Sequence, residues 1–232
     1  MKIELCVPAH NEAETIVRAL TMLKATLPKD LSISLVVSEN GSTDGTAELV
    51  ENSCLENVLV LRTPGKGKGL AIRTAALRSD ADIFGFIDAD LSADPRVIPE
   101  MISRIMDGAD LVIGSRLLKK EFVHRGFLRT LSSQVFNLLV RVMLEIRFSD
   151  TQCGLKFMNV KARKVLERIE EDGWFFDLEL LAIGSKRNFR IEEIPVNWEE
   201  FRFPERKSKL RMFSDGLDSF RTMKRIRSRI IN

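Results

Sequence analysis

The sequence has no tyrosine, two histidines and three cysteines in 232 residues, and each scarcity closes off a class of chemistry. Cys6, Cys54 and Cys153 are odd in number and show no paired spacing, which argues against a disulfide framework and against a zinc site. His10 and His124 are too few for imidazole-based metal chemistry. No apolar run reaches the ~18 residues that suggest a membrane span. Met1 leads directly into an apolar strand and nothing there resembles a cleavable signal, so the expected location is inside the cell. The net charge is only +3, but basic residues at 202, 206, 207, 209, 211, 221, 224, 225, 227 and 229 crowd the carboxyl end, implying an anionic partner.

With 44% hydrophobic and 30% charged residues, the composition is that of a soluble globular protein with a substantial core. Its first half alternates strands with helices. Residues 3–7, 31–38, 58–62, 84–87 and 111–114 read as apolar strands, and the segments after the first four carry apolar residues at helical spacing. Asn11 is expected to cap the first helix, Ser42 the second and Asp94 the fourth, where Pro95 supplies the first helical residue. Such alternation predicts a mostly parallel sheet covered on both faces, with ligands bound outside the carboxyl ends of its strands. Every polar cluster of this half falls at such an end: 8–12, 39–43, 66–68, 88–90 and Arg116.

The segment from Phe84 to Pro95 organises the rest. An apolar strand ends in Asp88 and Asp90, two residues apart and therefore on one side of an extended chain, with small Ala89 between them. Two carboxylates suit a hard divalent cation that takes its remaining ligands from substrate phosphates. The alternative is a solvated loop that only leads into the Asp94 cap. The 65–69 segment, Gly-Lys-Gly-Lys-Gly, is neither a P-loop nor a dinucleotide fingerprint, which disfavours a Rossmann dehydrogenase. It reads as an anion-binding loop or as a flexible one.

Residues 131–146 form an expected helix with one narrow polar stripe, Ser133, Asn137, Arg141 and Glu145. It is either buried or, with Arg125 and Arg129 at its start, interfacial. A strand at 155–158, a helix at 161–169 and a strand at 191–198 are also expected, with Asp177 capping a helix that runs to about residue 186. The last helix spaces Phe213, Leu217, Phe220, Met223, Ile226 and Ile230 as one apolar stripe beside Arg221, Lys224, Arg225, Arg227 and Arg229. Either it docks on the core or it lies on an anionic membrane surface. Cations that share a helix with an apolar stripe and lack interleaved aromatics argue against nucleic acid as the partner.

Together, Val-Pro-Ala-His-Asn-Glu (7–12), Asp-Ala-Asp-Leu-Ser-Ala-Asp-Pro (88–95), Gly-Ser-Arg (114–116), Asp-Thr-Gln-Cys-Gly-Leu-Lys (150–156), Ile-Pro-Val-Asn-Trp (194–198) and Ser-Lys-Leu (208–210) resemble inverting family 2 glycosyltransferases. The likeness is to the branch that glycosylates dolichyl or other polyprenyl phosphates, with glucose or mannose as the hexose. It implies an α/β fold of the GT-A, Rossmann-like type: a mostly parallel sheet flanked by helices, with a carboxyl-terminal amphipathic helix. The implied division is a catalytic domain over 1–209 and a basic amphipathic helix over 210–232.

By the same resemblance Pro8, Ala9, Glu12, Glu39, Ser42, Lys68, Asp88, Ala89 and Asp90 would bind the nucleotide sugar, UDP-glucose or GDP-mannose. Asp88 and Asp90 would hold Mg²⁺ or Mn²⁺, and Arg116 and Arg129, with Lys207, Ser208 and Lys209, would hold the acceptor phosphate. Asp88, Asp90, Arg116 and Arg129 form the implied catalytic set. Position 39 departs from the family pattern, which has Asp-Asp-Gly-Ser where this chain has Glu39-Asn40-Gly41-Ser42.

A phosphate monoester, with a second pKa of ~6, needs no base to become nucleophilic. A sugar hydroxyl would need one, and Asp177 is the candidate. The implied setting is peripheral, at the cytoplasmic face of a membrane, without a transmembrane helix. The competing readings are a family 2 enzyme acting on a non-lipid hydroxyl and a membrane-docking module that binds nucleotide sugar without turnover.

Overall fold

The computed structural model describes residues 1–118, 140–199, 203 and 216–231. Seven strands, β1 (Ile3–Ala9), β2 (Ile33–Glu39), β3 (Val58–Arg62), β4 (Ile83–Ile87), β5 (Leu111–Ser115), β6 (Leu155–Asn159) and β7 (Ile191–Pro195), form one sheet in the order β3-β2-β1-β4-β6-β5-β7. The pairs β1/β2, β1/β4, β2/β3 and β5/β7 are parallel, while β6 runs antiparallel between β4 and β5. The expected mostly parallel α/β sheet is therefore present. Its one reversed strand is the feature that strand-helix alternation did not announce.

Period-two alternation splits the core into two layers. Leu5, Val7, Ile83, Ile87, Leu155 and Phe157 face α1 (Ile16–Thr26), α2 (Thr46–Asn52) and α4 (Ile98–Met106). Cys6, Phe84, Phe86 and Met158 face α3 (Lys68–Arg78), a helical stretch over 140–144 (α5), α6 (Val160–Arg163), α7 (Phe176–Lys186) and α8 (Gly216–Ile231). With helices on both sides, β4 is buried along its whole length, as expected for a strand covered on both faces. At its middle, Gly85 leaves room for Phe157 from β6: a Cβ there would lie 2.4 Å from the ring. Gly85→Ala should destabilise the fold by about 1–3 kcal/mol through overpacking. The expected readout is a lower denaturant midpoint at unchanged slope.

Several local expectations are corrected. Asn11 does not cap α1, which begins at Ile16 behind Thr15 with no side-chain cap. Instead Asn11 adopts φ +52° and its Oδ1 accepts from the Thr43 amide at 2.8 Å, while Ser42 Oγ accepts from the Asn11 amide at 3.0 Å. Ser42 likewise caps nothing, since α2 begins at Thr46 behind Gly45 and Asp44 Oδ1 accepts the Thr46 amide at 3.1 Å. Both cap-competent side chains tie the loop after β1 to the loop after β2. Asp94 does cap as expected, accepting the Arg96 amide at 3.0 Å. The expected 161–169 helix is split into α6 and a 3₁₀ turn over Lys164–Arg168.

The terminal helix belongs to the core more than its sequence implied. Met223 and Ile226 of its apolar stripe are buried in the second layer, and Phe220 is exposed. Arg225 Nη2 lies 2.6 Å from Glu171 Oε1, and Arg229 Nη2 lies 2.8 Å from Glu170 Oε2. The centre of the stripe is thus committed to the body of the protein, and the expectation that it is a membrane-facing apolar surface is revised. Of the 131–146 helix only 140–144 are described as helical, with Val140 and Leu144 buried and Arg141 and Val142 exposed. Among the described residues no helix is long and apolar enough to cross a membrane.

Candidate active site

Parallel register delivers the first part of the site. Ala9 pairs with Glu39 at the carboxyl ends of β1 and β2, and the Asn40 amide donates to the Ala9 carbonyl at 3.0 Å. The Glu39 carboxylate turns back on its own loop and accepts from the Ser42 amide. Glu12 is buried; its amide donates to Thr46 Oγ1 at 2.9 Å, and its carboxylate lies 3.4 Å from the Thr15 hydroxyl. Pro8 is half-buried beside them. His10 Nδ1 lies 2.9 Å from the Asn40 carbonyl oxygen, and Asn40 Nδ2 donates to the Gly67 carbonyl at 2.8 Å. That last bond joins the β1/β2 edge to the glycine-rich loop.

The loop's glycines answer to packing. A Cβ on Gly67 would lie 2.3 Å from the Asp172 carbonyl oxygen, and one on Gly69 would lie 2.5 Å from that of Glu171. They let α3 start directly against the 171–172 backbone, where the Leu70 amide donates to the Asp172 carbonyl at 3.1 Å. That close approach carries Lys68, on the first turn of α3, inward to the end of β4.

There Lys68 Nζ lies 2.7 Å from Asp88 Oδ1 and 3.7 Å from Asp177 Oδ2, with its side chain 8% exposed. Its ammonium also sits 5.4 Å from the Trp174 ring centroid. Burial disfavours the charged amine, but the Asp88 and Asp177 carboxylates outweigh it and raise the lysine above its ordinary pKa. Lys68 is therefore a fixed cation at neutral pH. Asp88 is held from a second direction by Gly154 of the β6 turn, whose carbonyl accepts the Asp88 amide at 3.0 Å. Asp90 is half-buried beyond buried Ala89, and its Oδ1 accepts the Ser92 amide at 3.0 Å.

Asp177 does not cap α7 as expected. The cap position is Phe175, and Asp177 lies within the first turn, buried, with Oδ1 2.6 Å from Lys156 Nζ. Lys156 was not singled out from sequence. Alternation along β6 could have marked it, because it shares the face of Met158, where an apolar residue is the rule.

Arg116 lies just past β5, and its Nε and Nη2 are taken by Asp150, at 2.6 and 2.7 Å. Its guanidinium stacks 4.8 Å from the Trp198 ring centroid. Burial opposes both charges, yet the pairing holds the Asp150 carboxyl below its ordinary range and raises Arg116 further. Forked capture of an acceptor phosphate by Arg116 would require this pair to open. Arg129, Lys207, Ser208 and Lys209, with the 209/210 domain boundary, lie outside the described residues. Of the remaining predicted positions, the fold gathers Pro8, Ala9, Glu39 and Ser42 at one edge and Lys68, Asp88, Ala89 and Asp90 at the next. Among the described residues no group of three or more His, Cys, Asp or Glu side chains could hold a metal ion.

Comparison with known proteins gives the family. The family described as "Glycosyl transferase family 2" matches residues 4–167. The chain is 30% identical over 208 residues to "Glycosyltransferase AglD" of Haloferax volcanii, covering 86% of this chain and 33% of that protein. It is also 30% identical over 248 residues to a dolichyl-phosphate beta-glucosyltransferase of Dictyostelium discoideum, covering 99% of this chain and 75% of that one. The chain thus spans a third of the Haloferax relative and three quarters of the Dictyostelium one.

Glucosyl-3-phosphoglycerate synthase from Mycobacterium tuberculosis, solved with UDP, matches with a TM-score of 0.69 at 21% identity, covering 99% of this chain and 80% of that one. The same synthase has been solved with Mn²⁺ and UDP-glucose, where the TM-score is 0.67. At this identity the likeness concerns the fold, which is of the GT-A type. The family match over most of the sequence identifies the chain as a member of glycosyl transferase family 2.

Proposed function

We propose that this protein transfers a hexose, with inversion, from a nucleoside-diphosphate sugar to dolichyl or another polyprenyl phosphate, with UDP-glucose as the favoured donor and GDP-mannose as its competitor. The observation that carries the acceptor class is the state of Asp177. A hydroxyl acceptor needs a base, and this carboxylate, the candidate for that role, is buried between Lys156 and Lys68. A phosphate acceptor needs none, because near pH 7 a monoester is already largely dianionic. The dolichyl-phosphate beta-glucosyltransferase relative points the same way.

The donor set at the end of β4 fits a divalent ion such as Mg²⁺ or Mn²⁺. It consists of carboxylate oxygens from Asp88 and Asp90, too few to complete a shell and so suited to an ion shared with phosphates. Asp88 is also engaged by Lys68, so both carboxylates would be needed to hold the ion. When bound, such an ion would neutralise charge on the departing diphosphate. The chain's own contribution is to place Asp88 against Lys68 and to hold Glu39, Ala9 and Pro8 where a nucleoside would lie. Arg116, once released from Asp150, would add positive charge beside Trp198, and Arg129 with the 207–209 segment would complete the proposed acceptor side.

A lipid acceptor would bring the protein to the cytoplasmic face of a membrane as a peripheral enzyme. Lys224 and Arg227, exposed on α8, are described cations suited to anionic headgroups, at ~1 kcal/mol each. The test is a donor panel of UDP-glucose, GDP-mannose and UDP-N-acetylglucosamine with dolichyl phosphate and Mg²⁺ or Mn²⁺. UDP-glucose should give the highest turnover, and a chelator should remove it. Preference for GDP-mannose would reassign the sugar. Transfer to soluble hydroxyl acceptors, with none to the lipid phosphate, would sink the reading.

A further inference from the structure

We propose that Lys156 and Asp177 are positioning residues for the donor site, holding Lys68 against Asp88 through a row of alternating charges. The inference rests on the reading of Asp88 as a donor-site residue. The row runs from β6 to α7 to α3 to the end of β4. Lys156 Nζ lies 2.6 Å from Asp177 Oδ1, Asp177 Oδ2 lies 3.7 Å from Lys68 Nζ, and Lys68 Nζ lies 2.7 Å from Asp88 Oδ1. Two ammoniums and two carboxylates leave the row neutral.

Lys156 has a side-chain exposure of 0% and its ammonium sits 5.6 Å from the Phe86 ring centroid. Burying an ammonium is unfavourable unless it is fully paired, and an apolar side chain often replaces such a pair without loss of stability. Packing alone therefore gives no reason for a lysine on this face of β6. Its partners suggest a different one.

Asp177 divides its two oxygens between two lysines. While Lys156 neutralises it, Asp177 competes weakly for Lys68, which stays with Asp88. Without the Lys156 charge, a buried and uncompensated Asp177 would draw the Lys68 ammonium across to itself, because Coulombic attraction is strong where water is excluded. Asp88 would then lose its partner.

Lys156 also holds Asp88 by a second route. Its ammonium donates to the Cys153 carbonyl at 2.6 Å and to that of Thr151 at 3.3 Å, fixing the turn that leads into Gly154. Gly154 in turn accepts the Asp88 amide and packs against its carboxylate. One lysine thus sets both walls around Asp88 without touching a substrate.

The test compares wild type, Lys156→Met and Lys156→Met/Asp177→Asn. UDP affinity is measured by calorimetry with and without Mn²⁺, and donor KM, acceptor KM and kcat by assay. Lys156→Met should weaken UDP binding and raise donor KM by about tenfold, the scale of a small misplacement at a reacting site, with acceptor KM unchanged. The double variant, neutral again, should recover part of the loss, since it removes the competing charge but not the missing bonds to the Cys153 and Thr151 carbonyls. A role confined to folding would lower kcat with the folded fraction and leave donor KM and UDP affinity unchanged, and that result overturns the proposal. So does a double variant no better than the single one.

Should Lys156→Met alone fail to fold, the double variant carries the test. Lys156→Gln is then compared with it: weaker UDP binding in Lys156→Gln than in the double variant supports the proposal, and equal affinity in the two overturns it. Wild type that binds UDP but transfers nothing to lipid phosphate would sink the functional reading and leave this inference standing.

Discussion

Asp90→Ala should lower kcat by about 10³-fold, equivalent to roughly 4 kcal/mol of transition-state stabilisation, while the protein stays folded. The magnitude follows from the sparse donor set. With two carboxylates at the end of β4, loss of Asp90 would leave an ion only Asp88, which is itself bonded to Lys68. The structural penalty is small by comparison. Asp90 is half-buried, and its bond from the Ser92 amide is worth about 1 kcal/mol. The decisive comparison is calorimetric: Mn²⁺ should strengthen UDP binding to wild type and make little difference to the variant. Full activity in Asp90→Ala, or wild-type turnover that survives exhaustive chelation, would remove the metal assignment.

Gly154→Ala should cost about 10²-fold in kcat/KM although it adds only one methyl group. A Cβ at this position would lie 1.9 Å from Asp88 Oδ2 and 2.2 Å from its Cγ. The β6 backbone has little freedom to retreat, since Leu155 is paired with Ile87 in the ladder and the Gly154 carbonyl accepts the Asp88 amide. The Asp88 carboxylate must therefore swing away from Lys68. Displacement of a positioned group by about 1 Å is enough for a loss of that order. Donor KM and UDP affinity should both worsen, while thermal stability falls by only about 1–3 kcal/mol, as for other overpacked sites. A variant with wild-type UDP affinity would show that Asp88 does not help hold the donor.

Local sequence was enough for the elements that rest on local rules. The strands ending at Ala9, Glu39, Arg62, Ile87 and Ser115 follow from apolar runs and turn residues, and parallel pairing then brings their carboxyl ends together. Asp88 and Asp90 were expected on one side of an extended chain, but the chain turns there, the Leu91 amide donating to the Asp88 carbonyl at 2.9 Å, so that Asp88 meets Lys68 while Asp90 accepts the Ser92 amide. The cap at Asp94 was legible too, since only backbone a few residues away is involved. Asn11 and Ser42 were not, because each is competent to cap its own helix and instead bonds across to the neighbouring loop.

What the sequence by itself determined is therefore the α/β class and the placing of its polar clusters at the carboxyl ends of the strands, both consequences of short-range periodicity. Tertiary structure alone decided the reversed strand β6, which brings Gly154 and Lys156 beside Asp88 and Asp177, and the pairing of Arg116 with Asp150. It also decided the face of α8, since an amphipathic stripe looks the same whether it meets a core or a membrane, and here Met223 and Ile226 meet the core. The physical reason is common to all of these. The partners are distant in sequence and their attraction depends on burial, which no local pattern encodes and which exists only once the sheet and its two helical layers have closed.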